Sequence, residues 1–172
     1  VAANTSKRTP STPSKLELVH SDAGCAVAIW DRYVLVVWRQ QVTAVGVTLC
    51  ARAMTRAKQN HPGQRIAALV YMEPEVSLSG SSSTFQACAE ELRRHEVDLA
   101  GYAVAYEREG FWNAAIRGRI MAINAESKTD IAFALRPTLA EACTWLKEHA
   151  ADLPPIPTDA LVRAVEELRA QR

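Results

Sequence analysis

Glu73 and Glu75 stand two positions apart where the apolar run 66–72 gives out, and Glu107 follows a second such run. Carboxylates at these points are the groups best placed to act as metal ligands or as a general base, because ligand sites of α/β sheets gather beyond the carboxyl ends of strands. No histidine or aspartate stands beside the pair to complete a ligand set. His61, His95 and His149 fall at the ends of helical patterns, where a positive charge complements the helix dipole, and His20 has only Asp22 nearby. Cys25, Cys50, Cys88 and Cys143 are widely spaced and form no CxxC pair. They read as small buried thiols of a reducing compartment. No phosphate-cradling glycine motif, nucleophile elbow or zinc spacing occurs, so no catalytic residue, cofactor or metal is expected.

Two other groups of residues offer binding rather than bond-making. Ser81, Ser82 and Ser83 close a polar stretch, residues 73–84, just before a helical pattern. Free N–H groups and the dipole at a helix start favour an anion, so a phosphate there is physically well supported. Ser83 with Gln86 also has capping-box spacing. Arg52 and Arg56 form a one-turn basic stripe suited to an anion. The charge is modest and lacks interleaved aromatics, which argues against nucleic acid.

The elements that must position these groups follow from the apolar pattern. Tyr33 to Trp38 is a continuous apolar run, rich in β-branched and aromatic residues, and predicts a central strand covered on both faces. Cys25 to Trp30 pairs with it as a hairpin across Asp31-Arg32. A helix capped by Thr43, with a stripe of Val45, Leu49 and Ala53 flanked by Val42 and Met54, ends at Asn60-His61-Pro62-Gly63. Strands at 66–72, 99–106 and 131–135 alternate with helices beginning near residues 83, 111 and 138. Gly101, inside a strand, marks close approach of another backbone. The expected fold is α/β: a mixed five-stranded sheet, N-terminal hairpin then βα units, with four helices and a further helix at the C-terminal end.

At 172 residues, 48% hydrophobic and 23% charged, the chain has the composition of an ordinary globular domain. The expected division is a basic, disordered tail over 1–15, the α/β body over 16–153, a proline linker over 154–157 and an amphipathic helix over 158–172. No apolar run has transmembrane length and no signal-peptide pattern opens the sequence, so a cytoplasmic location is the default expectation. Net charge is +1 but uneven. Arg52, Arg56, Lys58 and Arg65 occupy 40–72 without an acid, while 73–98 carries an excess of carboxylates. That asymmetry suits either attraction within the fold or pairing between copies.

With this element order, the stretch VLVVWRQQVTAVGV and the Ser-rich helix start after the 66–72 strand, residues 22–150 resemble the STAS domain, the fold of anti-sigma-factor antagonists and sulfate-transporter tails. Small bacterial proteins of STAS-like type look most similar. The resemblance implies a non-catalytic module that binds a protein partner, a kinase or regulator, and is switched by phosphorylation at the start of the second helix. Gly80-Ser81-Ser82-Ser83-Thr84 occupies the matching place, without the Asp before and Gly after that the family commonly carries. Glu75, Phe85 and Trp112 around that loop, and Leu161, Val165 and Leu168 on the last helix, are the candidate partner contacts. The last helix is expected to dock on the body or on a partner. The rival expectations are a small-ligand or enzymatic domain using Glu73, Glu75 and Glu107, and a self-assembling subunit.

Overall fold

The computed structural model describes residues 15–77, 82–108, 110–150 and 152–171. Six strands form one sheet: β1 (Glu17–Ser21), β2 (Cys25–Trp30), β3 (Tyr33–Trp38), β4 (Ile66–Met72), β5 (Leu99–Tyr106) and β6 (Phe133–Arg136). Five helices accompany it: α1 (Ala44–Asn60), α2 (Ser82–Arg94), α3 (Phe111–Ser127), α4 (Leu139–His149) and α5 (Thr158–Ala170). The order across the sheet is the order in the chain, β1 to β6, antiparallel for the first two pairings and parallel thereafter.

That topology corrects the expected strand count. β1 is the additional strand, an edge whose sequence Glu17-Leu-Val-His-Ser21 is mostly half-buried and so lacks the apolar run of its neighbours. β3, by contrast, is buried along its whole length, as its composition requires. The 1–14 tail lies outside the described residues. No described helix is long and apolar enough to cross a membrane.

Strict sequential order has a consequence for layering. Right-handed crossovers that each add a strand on the same side place every crossover helix on one face. α1, α2 and α3 therefore share a face, over Val34, Val36, Ala68, Val104 and their neighbours. α4 and α5 cover the other, over Tyr33, Leu35, Val37, Leu69 and a set of alanines in β2, β4 and β5. Those alanines, Ala28, Ala67, Ala103 and Ala105 among them, let α4 and α5 approach closely. At Gly101 a Cβ would sit 3.3 Å from the Ala132 carbonyl oxygen, which accepts from Tyr102 N at 2.9 Å, so the backbone approach expected there occurs.

Helix rotation departs from expectation in α1. Thr43 caps it, its hydroxyl accepting from Gly46 N at 3.1 Å. The buried side is Val47, Ala53, Met54 and Ala57, while Val45 is 72% exposed. Gly46 explains the turn: the helix rests directly on the Trp38 ring, and a Cβ there would fall 2.4 Å from Trp38 Cη2. Gly46→Ala should accordingly destabilise the domain by roughly 1–3 kcal/mol, the scale of overpacking, although an alanine in an open helix is ordinarily stabilising. Denaturant midpoints, with a shift of Trp38 fluorescence, check the sign.

α5 docks on its own body. Leu161, Val165 and Leu168, candidates for a partner, are all buried against β2 and β3. Its end is pinned: the Arg39 guanidinium donates to the carbonyls of Leu168 and Arg169 at 3.4 Å each, and Ser21 Oγ donates to Gln171 O at 2.7 Å. A cation on the last carbonyls satisfies groups the helix leaves open.

Candidate functional site

The strand ends that carry Glu73, Glu75 and Glu107 are tied down by structural contacts. Arg169 of α5 grips Glu73 with two bonds of 2.9 Å, holds Glu166 at 2.8 Å, and lies 4.3 Å from the centroid of the Tyr71 ring. Glu73 and its neighbours hold the Arg169 guanidinium well above its usual basicity, and burial pushes the Tyr71 hydroxyl up to about 12. Glu107 accepts from Leu139 N at 2.8 Å, an acid at a helix start, and from Tyr71 Oη at 3.5 Å. Glu73 and Glu107 thus serve α5 and α4. Glu75 is exposed and stands apart.

His20, Asp22 and Cys25 come within 4.8 Å of one another, a grouping the sequence spacing only hinted at. Asp22 Oδ1 accepts from Gly24 N at 2.7 Å and Cys25 N at 2.8 Å, and His20 Nε2 lies 2.9 Å from Oδ2. These bonds, that from Cys25 foremost, lower the Asp22 carboxyl to about 2 from 3.8, while burial raises the Cys25 thiol. Arg39 donates to the Asp22 carbonyl as well. The cluster works as a lock on the β1–β2 turn. Because the folded carboxyl is the more acidic one, its contribution is fully present above 3.8 and disappears as pH falls through about 2. Asp22→Ala should cost about 1 kcal/mol near neutrality, the scale of a lost helix cap. The deficit relative to the native chain should shrink across that acid window in denaturant titrations.

The residues proposed for binding a partner divide. Ser82 and Ser83 are exposed in the first turn of α2, but Ser83 lies inside the helix rather than capping it, and Ser81 lies outside the described residues. Phe85 is buried beneath the Arg119 guanidinium at 4.5 Å, which removes it as a surface anchor. The Trp112 side chain lies outside the described residues. Arg52 and Arg56 are both exposed, the latter paired with Glu17. Lys58 meets Asp98 at 2.8 Å, so part of the opposite charge of 40–72 and 73–98 is matched within one chain.

What the sequence did not indicate is space beneath α2. This helix packs on α1 and α3 and, among the described residues, makes no comparable contact with any strand. Arg93 fastens its end to α3, donating to Ser127 O at 3.2 Å and Glu126 O at 3.1 Å. Below it lies a cavity of about 150 Å³. The floor is three cross-strand rows, Val34–Ala68–Tyr102, Val36–Val70–Val104 and Trp38 beside Met72, and the roof is Met54 and Cys50 of α1, Cys88 and Leu92 of α2 and Ile120 of α3. Ala68, the smallest member of its row, leaves the floor deepest at the middle of the sheet. Glu91 is the only carboxylate on the wall among the described residues. Val70, in a central strand, is only partly buried, and so is Cys50, although burial drives its thiol well above the usual value. Both are deep yet in contact with open space. Burial likewise raises the Cys88 thiol to about 11, so these sulfurs are neutral, apolar surface at physiological pH. Tyr102 turns its hydroxyl out of the way, donating to Asn124 Oδ1 at 2.6 Å.

No family model, curated protein or solved structure matches this chain.

Proposed function

We propose that this domain is a non-catalytic binding module whose ligand is a small, largely apolar molecule held between the sheet and α2. The observation that carries the reading is the cavity. At about 24 cal/mol per Å³, a fully enclosed space of 150 Å³ would cost on the order of 3–4 kcal/mol, and a partly open one costs a fraction of that. Domains are stable by only about 5–15 kcal/mol, so even a fraction of that cost matters. Water does not relieve it, because an apolar chamber offers too few partners to hold water. An apolar molecule the size of a single aromatic ring restores the missing dispersion contacts and fits a chamber of this volume.

The test is a titration of the purified protein with toluene, followed by tryptophan fluorescence, to which Trp38 on the cavity lining contributes, and by thermal melting. Saturable quenching with a rise in melting temperature is expected, since a ligand that binds only the folded state stabilises it. A linear, unsaturable response with an unchanged melt would refute the cavity as a ligand site.

A second reading adds regulation of the STAS-like kind. Ser82 and Ser83 lie exposed on the first turn of α2, which has no acidic residue, so the positive end of the helix would favour a phosphate there. Because the same helix roofs the cavity, ligand occupancy and modification would act on one element. Mass spectrometry of the protein isolated from its native cells decides it. Phosphate on Ser82 or Ser83 supports the switch, and unmodified serines across growth conditions count against it.

A further inference from the structure

The rim of the cavity carries a chemistry that its floor lacks. A surface groove runs between α1 and α2, with Arg52 and Arg56 on one wall and Arg94 and His95 on the other. Glu91 lines both the groove and the cavity, so the two are neighbours across a single side chain. Three arginines stand there against one carboxylate. They are not equivalent. Arg56 is engaged by Glu17 and Arg94 by Glu91, whereas Arg52 is exposed with no ion pair or hydrogen bond among the described residues.

Resting on the reading of the cavity as a ligand site, we infer that its ligand is a small amphiphilic anion, with an apolar body over Ala68 and Val70 and a carboxylate emerging between α1 and α2 to pair with Arg52. Arg94, already turned toward the boundary by Glu91, is the second cation within the groove. The charge pattern selects the sign of the head group. A cationic head would face Arg52, whose charge no carboxylate among the described residues balances, and an uncharged one would leave that charge unmatched. An exposed pairing of this kind contributes modestly, so selectivity rather than raw affinity is its signature.

The experiment compares phenylbutyrate with phenylbutanol, which share an apolar body and differ in the charge of the head. Titrations of the full chain are read by tryptophan fluorescence in low and high salt. The acid is expected to bind about three- to tenfold more tightly than the alcohol at low salt, with the preference reduced at high salt. Arg52→Gln combined with Arg94→Gln should abolish the preference, and an unchanged circular dichroism spectrum and thermal melt report that the variant is folded. Equal binding of acid and alcohol by the native chain would overturn the anionic head and leave the cavity reading standing. Binding of neither would overturn both.

Discussion

Val70→Phe should abolish ligand uptake without unfolding the domain. Val70 lies at the centre of the cavity floor, flanked in register by Val36 and Val104, and its side chain points into the 150 Å³ space beneath α2. A phenyl ring at this position occupies the volume a ligand requires, so affinity for a ring-sized molecule should fall by at least about tenfold, or 1.4 kcal/mol. In a fully packed core the same change would force neighbours off their rotamers at a cost of about 1–3 kcal/mol. Here it removes a void, and the unliganded domain should gain roughly 0.5–2 kcal/mol, as cavity-filling substitutions commonly do. Titration and chemical denaturation on the same preparation separate these cases. A variant that loses both binding and stability would mean that the space is already filled by the surrounding side chains.

Leu168→Ala should lower stability by about 2–5 kcal/mol, as other large-to-small changes in cores do. The side chain is completely buried, against the face of the sheet that carries Tyr33, Leu35 and Val37. Ordering that end of α5 also depends on Arg39 and on the Arg169–Glu73 pair, and both are weakened if the helix withdraws. For a chain of this length, each kcal/mol corresponds to about 2–4 °C, so the melting temperature should fall by roughly 5–15 °C. A helix held in reserve for a partner would instead show an unchanged melt. Truncation after the Pro154-Pro155-Ile156-Pro157 segment should be more severe, because it bares Tyr33, Leu35 and Val37 together.

How far the sequence led depended on whether a feature was local. Tyr33–Trp38 was legible because a strand covered on both faces must be apolar throughout, and the Thr43 and Thr138 caps because capping is decided within one turn. β1 was missed because an edge strand need not be continuously apolar. The rotation of α1 depended on contact between Gly46 and Trp38, eight positions apart and in different elements. The stripe on α5 specified that something must cover it but not what, and only tertiary structure placed it on β2 and β3. The cavity had no signal of its own: Ala68, Cys50 and Cys88 read as ordinary small core residues, and the height of α2 above the sheet is set by its packing on α1 and α3. Arg52 was legible as an anion candidate, but its position beside that cavity was not.

The sequential strand order also sets a timetable for synthesis. Each strand finds its partner in the segment made just before it, so the sheet and the face bearing α1 to α3 can assemble while the chain is still being extended. The opposite face has no such provision. The helices that cover it, α4 and α5, come after residue 138, so a nascent chain that has completed β6 presents Trp30, Tyr33, Leu69 and Tyr71 on a surface without them. Synthesis of α4 and α5 is therefore the step that ends an aggregation-prone interval, and ribosome stalling within them would leave the completed sheet exposed to its neighbours.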